Sequence, residues 1–224
     1  MLTVTACGSA RRTTVVAPPT THPALSTTGP GATTATPDLA GALDPARVNL
    51  APADLPAGWS ATGAATGPPP APGLLRSASL LACLGRPPTV VPVAGTPSPR
   101  FAEGAVSARS ELTFVTPAAE LGQEVQDLHT SAGVACLGQA VTDSLAPWGP
   151  VTDPTVQPVF EAPDGLDSVL SVHYSARTPR GPLAEDLHLY VTGSNELAVA
   201  FVGDGVPIPA GVERATLAKV LARV

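Results

Sequence analysis

Apolar residues show no regular spacing along the first part of the chain, and a period becomes legible only from about residue 48. Leu74, Ala78 and Leu81 predict a short helix over 74–84, ended by Gly85 and Pro87. Alternation takes over at 105–115, with Val106, Ala108, Leu112 and Phe114 on one face and Ser107, Arg109, Glu111 and Thr113 on the other, as in a strand. Thr116 and Pro117, as cap and first-turn residue, open a helix in which Leu121, Val125 and Leu128 recur at i, i+4 and i+7. Ser131 caps the next helix, striped by Val134, Leu137, Val141 and Leu145 beside Cys136 and stopped by Pro147. Four strands follow near 156–161, 167–177, 184–192 and 196–203, turning at Pro163-Asp164-Gly165, Thr178 to Pro182 and Gly193-Ser194-Asn195. Pro158 assigns the first of them to a sheet edge, because it has no N–H to give a second neighbour. A last helix over about 210–223 puts Leu217, Val220, Leu221 and Val224 on one side. Strands with one apolar face and helices to cover it make an α+β domain over 48–224, an antiparallel sheet with packed helices.

Composition sharpens the boundary. All eight aromatic residues lie between Trp59 and Phe201, so little before residue 59 can nucleate a core. Residues 8–47 are Thr, Pro, Ala and Gly with little charge, and burial there cannot offset the entropy of ordering the backbone. They read as a disordered tether. The net charge of -6, with 12 basic residues scattered among 18 acidic ones, offers no basic stripe, and nucleic acid is not an expected partner. No apolar run approaches the ~18 residues of a membrane-crossing helix.

The cysteines change the picture most. Val4-Thr5-Ala6-Cys7 resembles the bacterial lipobox, which implies that residues 1–7 are the remnant of a lipoprotein signal and that Cys7 is acylated. Six residues before Cys7 are too few for an export signal, so the true start is expected upstream or the signal trimmed. With Cys7 assigned to lipid, Cys83 and Cys136 remain, each within the tetrapeptide Ala-Cys-Leu-Gly and 53 residues apart. In an oxidising compartment this pair favours a disulfide between two helices, worth about 4 kcal/mol on the chain-entropy model. Two buried free thiols are the bland alternative. A zinc site is a weaker one, since neither cysteine has a His or Cys at ligand spacing.

Asp54-Leu55-Pro56-Ala57-Gly58-Trp59 at the start of the domain, a Cys-Leu-Gly ending a helix, a strand, a second Cys-Leu-Gly helix and a closing meander with a helix together resemble actinobacterial cell-envelope proteins. Over about residues 50–224 the chain is similar to the extracellular sensor domain of mycobacterial membrane serine/threonine kinases and to mycobacterial lipoproteins of the PsbP-like fold. The resemblance implies a PsbP-like fold and an exported binding or sensor-like module, and supplies no catalytic residues.

Motifs for common chemistry are absent from the sequence: no Gly-x-Ser-x-Gly, no His-Glu-x-x-His, no phosphate-cradling loop and no dinucleotide fingerprint. Two constellations remain. If the hairpin of 167–177 and 184–192 turns near 180–181, His173 faces His188 and Ser175 faces Asp186; a shift by two pairs His173 with Asp186. Either register gathers His173, Ser175, Asp186 and His188 into a polar patch, read as a metal or pH-sensing site or as an ordinary hydrated face. Trp59, Phe114, Trp148 and Tyr174 are candidate linings of a pocket between sheet and helices, or simply core. The expectation is a non-enzymatic, lipid-anchored module on the extracytoplasmic face of the membrane, without metal or cofactor, binding a small apolar ligand or another envelope protein. The alternative is a metal-dependent or hydrolytic enzyme using His173, Asp186 and His188.

Overall fold

The longest alternating and apolar runs form the middle of one antiparallel sheet. The computed structural model describes residues 41–61, 73–74, 77–86, 93–115, 118–161 and 166–224, all within the unit Pro37–Val224. Its strands are β1 (Ser60–Ala61), β2 (Val93–Pro97), β3 (Phe101–Glu103), β4 (Val106–Phe114), β5 (Thr152–Glu161), β6 (Ser168–Thr178), β7 (Gly181–Thr192) and β8 (Asn195–Asp204). They lie in the order β1-β3-β4-β8-β7-β6-β5, and β2 joins the same edge of β4 beyond β3. The four-strand meander is as the alternation predicts, and Pro158 does sit on an edge strand, β5. The helices are α1 (Pro45–Val48), α2 (Ala78–Cys83), α3 (Ala118–Leu128), α4 (Ser131–Leu145) and α5 (Ala210–Leu221). The fold is α+β.

Alternation predicts one apolar face per strand, and β8 departs from this. Its run from Leu197 to Val202 is buried on both sides: Ala198, Ala200 and Val202 join one core, Leu197, Val199 and Phe201 the other. An unbroken apolar run is what a strand covered on both faces needs. Over one face, Leu121, Val125 and Leu128 of α3 and Leu137, Val141 and Leu145 of α4 pack on Leu170, Val172, Leu187 and Leu189. Over the other, Val48, Leu50, Leu55 and Val220 pack on Ala108, Leu112, Val199 and Phe201, with Trp59, Leu217 and Leu221 at the margin.

The disulfide Cys83–Cys136 is formed, with Cα atoms 5.6 Å apart, and it ties α2 to α4 across 53 residues of sequence. It displaces the free-thiol and zinc readings. The twin tetrapeptides serve different ends. Gly85 takes a left-handed φ of 69° past the end of α2, where Arg86 N–H reaches Leu81 O and Gly85 N–H reaches Ala82 O, closing the helix. Gly138 lies inside α4, where a Cβ would come within 2.6 Å of Val156, so its lack of a side chain lets the helix approach β5.

Several boundaries move. The helix predicted over 74–84 is α-helical only from Ala78, because Ser77 caps it by accepting from Leu80 N–H. The cap of α4 is Thr130, whose hydroxyl accepts from Gly133 N–H at 2.9 Å, rather than Ser131. The fold begins by residue 41, so the last residues of the composition-defined tether belong to the domain: Asn195 accepts from Leu43 N–H and donates to Gly41 O. The short α1, β1, β2 and β3 carry no legible period, being two to five residues long. Cys7 with the rest of the tether, the Thr116-Pro117 cap and the Pro163-Asp164-Gly165 turn lie outside the described residues.

The Asp54 to Trp59 segment acquires a structural role. Arg223 near the chain's end holds the nearly inaccessible Asp54 carboxylate in a two-pronged bond, Nη1 to Oδ1 at 2.5 Å and Nη2 to Oδ2 at 2.8 Å. Ala51 N–H donates to the same carboxylate at 2.8 Å, and Lys219 Nζ donates to the carbonyls of Ala53 and Asp54. Burial alone would push the Asp54 carboxyl up; the bonds from Arg223 and Ala51, with the Arg223 and Lys219 charges, hold it below the usual value. This contact pins the far end of α5 to the 49–54 segment.

Candidate functional site

The β6–β7 hairpin turns one residue earlier than 180–181, closing at Thr178↔Gly181, which shifts every pairing by two and sets the site. His173 pairs with Asp186, Ser171 with His188 and Ser175 with Ala184. Successive outward positions Ser171, His173 and Ser175 of β6 and Ala184, Asp186 and His188 of β7 therefore share the face that α5 covers. Of the four predicted polar residues, the structure brings His173 and Asp186 into direct contact through Nδ1 and Oδ1. Ser175 does not face Asp186. His188 is reached through a residue the sequence reading missed, Glu213 in the first turn of α5.

Glu213 lies on the inward stripe of its helix, four residues before Leu217 and seven before Val220. A carboxylate at that phase was the one available signal. His188 Nε2 meets Glu213 Oε1 at 2.8 Å, and Nδ1 meets Ser171 Oγ at 2.9 Å. The imidazole thus bridges Ser171 and Glu213 through its two ring nitrogens. Asp186 adjoins Glu213, so that Ser171, His188, Glu213, Asp186 and His173 form one polar row across three elements.

The two carboxyls are pushed in opposite directions. Burial raises Asp186 above the ordinary carboxyl range and the Glu213 charge adds to it, outweighing the bond from His173. The bond from His188 holds Glu213 below its ordinary value despite burial, helped by Asp186.

This row ends in a cleft of about 590 Å³. His173, Ser175 and Arg177 form a polar row along β6, with Ala184 and Asp186 of β7 beside it. Val206, Pro207 and Ile208, from the β8–α5 connection, make an apolar wall. Asp153 stands at the rim with a φ of 52°, at the bulge in β5, 3.8 Å from Arg177; both side chains are 78% exposed. The volume and the mix of one polar and one apolar wall suit a small organic ligand.

The aromatic candidates do not line one pocket, because alternation sends them to different surroundings. Tyr174 is buried on the α4 side, its hydroxyl 3.0 Å from Thr142 Oγ1, and burial pushes its phenol up. Trp59 packs in the core on the opposite face, and Phe114 is buried at the end of β4. Trp148 stands on the 3-10 turn Ala146–Trp148, 37% exposed, under the Arg180 guanidinium at 5.6 Å. Among the described residues, no three His, Cys, Asp or Glu side chains are grouped to hold one metal ion, and no helix is long and apolar enough to cross a membrane.

No family model matches the chain, and no curated protein matches it. Among solved structures, the chain is similar to the extracellular domain of PknH from Mycobacterium tuberculosis, at 11% identity and a TM-score of 0.28, over 67% of this chain and 94% of that one. At that distance the likeness assigns neither family nor site.

Proposed function

We propose that this chain is a non-enzymatic, lipid-anchored binding or sensor-like module of the cell envelope, PsbP-like in its fold, facing the extracytoplasmic side of the membrane. Its ligand is a small apolar or amphipathic molecule, and the cleft beside His173 and Asp186 receives it. The observation that carries this reading is the cleft of about 590 Å³, with a polar row on one wall and Val206, Pro207 and Ile208 on the other. The Cys83–Cys136 disulfide supports an oxidising compartment. Cys7, acylated as the lipobox-like Val4-Thr5-Ala6-Cys7 implies, anchors the protein.

Native mass spectrometry of the protein purified from its own envelope tests the site. The wild type is expected to carry a small molecule, and Ala184→Trp, which fills the cleft from its floor, to lose it. A wild type free of ligand, or a ligand that Ala184→Trp retains, contradicts the reading. Intact-mass analysis of the membrane fraction tests the anchor, which a free Cys7 thiol would refute.

A further inference from the structure

We infer that the cleft selects a zwitterionic ligand, a short peptide with both termini free and small aliphatic side chains, its ammonium on Asp186 and its carboxylate on Arg177. This rests on the cleft being the ligand site, and it adds the class of ligand. Arg177 lies four residues along β6 from His173, and His173 pairs directly with Asp186. At about 3.4 Å per residue the acidic and basic ends of the cleft are roughly 14 Å apart along the strand. An extended tripeptide, about 10 to 11 Å long at ~3.3 to 3.6 Å per residue, covers that span once a hydrogen bond of ~2.9 Å is added at an end.

The sign of charge at each end excludes simpler ligands. A ligand with only an anionic head meets Asp186 at one end and Asp153 at the other, whichever way it lies. A ligand with only a cationic head gains Asp186 but leaves its tail against the Arg177 guanidinium. A polyanion such as a nucleotide finds one arginine, already beside Asp153, and no aromatic side chain among the lining residues to stack on. The same lack of an aromatic platform disfavours a sugar ring. A zwitterion meets an opposite charge at both ends.

The existing pairs can yield to such a ligand. Arg177 and Asp153 touch only at 3.8 Å with both side chains largely in solvent, a contact of the kind that contributes little and breaks easily. A carboxylate can take the guanidinium in a two-pronged bond, which is stronger and directional. At the other end, an arriving ammonium adds a second charged partner to the Asp186 carboxylate that His173 Nδ1 already contacts. Between the ends, Ser175 can hydrogen-bond the peptide backbone while Val206, Pro207 and Ile208 cover the side chains.

Calorimetric titration with Val-Ala-Val, its N-acetyl form and its C-terminal amide tests this. The free peptide is expected to bind, and each cap to weaken binding by about tenfold or more. Arg177→Gln should bind the free peptide and the amide equally, and Asp186→Asn should bind the free and acetylated peptides equally. Equal affinity for capped and free peptides overturns the inference. So does silence toward Val-Ala-Val in a protein that carries a native small molecule lost in Ala184→Trp, an outcome that leaves the cleft as the site and removes the peptide class alone.

Discussion

The two faces of the sheet are covered by helices of different make. On one, α3 and α4 present mainly apolar stripes, with Glu124 buried beside Leu121 and Val125, to Leu170, Val172, Leu187 and Leu189, and the Cys83–Cys136 bond ties α2 to this layer. On the other, α5 buries only Thr216 and Val220 fully, and much of its hold is polar: the Arg223–Asp54 contact at its C-terminal end and Glu213 on His188 and Asp186 at its N-terminal end. Where apolar area and a covalent tie do the holding, the layer closes over the sheet. Where polar contacts at the two ends of one helix do it, the sheet is left uncovered beyond the helix, and the cleft with its titratable groups occupies that gap. A frame and a site are thus built on the two sides of the same strands.

Breaking the frame should cost most. The Cys83→Ser/Cys136→Ser double variant is expected to lose about 4 kcal/mol in denaturant unfolding, a figure that follows from freeing a loop of this length in the unfolded chain. Leu137→Ala, at a position 1% exposed in the same layer, should cost about 3 kcal/mol by leaving a cavity. Both should leave the polar row of the opposite face intact, which the His173 and His188 side-chain NMR signals would report.

On the α5 side the losses are smaller and carry a pH signature. Arg223→Ala leaves the buried Asp54 carboxylate with its Ala51 bond alone and should cost about 2 kcal/mol. Because folding holds Asp54 below its ordinary value, the stability it contributes is present above about pH 4 and lost as pH falls through its folded value; the variant's deficit should shrink in acid. Asp186 has the opposite sign. Its carboxyl is raised in the fold, so its contribution is present in acid and lost as pH rises through the folded value. Asp186→Asn is therefore expected to cost nothing at neutral pH, whereas Glu213→Gln, which removes the charge facing His188, should cost about 1 kcal/mol. A Glu213→Gln variant as stable as wild type while Asp186→Asn unfolds would contradict this order of effects.

The legibility of the two sides in the sequence differs for the same physical reason. The stripes Leu121-Val125-Leu128 and Leu137-Val141-Leu145 are periodic within one element, so their burial could be read locally. The disulfide partners could be paired because the count of cysteines left one choice. Asp54 and Arg223 are 169 residues apart, and neither stands out from its neighbours until the fold brings the two together. Glu213 had a faint local signal, a carboxylate in phase with Leu217 and Val220, but its partners Asp186 and His188 depend on a hairpin register that alternation alone leaves free by two residues. The aromatic residues misled for a related reason: their type indicates burial without saying on which face.

Amide hydrogen exchange of the native protein tests the division into frame and site most directly. The account predicts that α5 amides from Val212 to Val220 open by local fluctuation and are protected at least about tenfold less than α4 amides from Val134 to Val141, which open only with global unfolding. Protection of α5 equal to that of α4 would show both layers to be held alike and would contradict it.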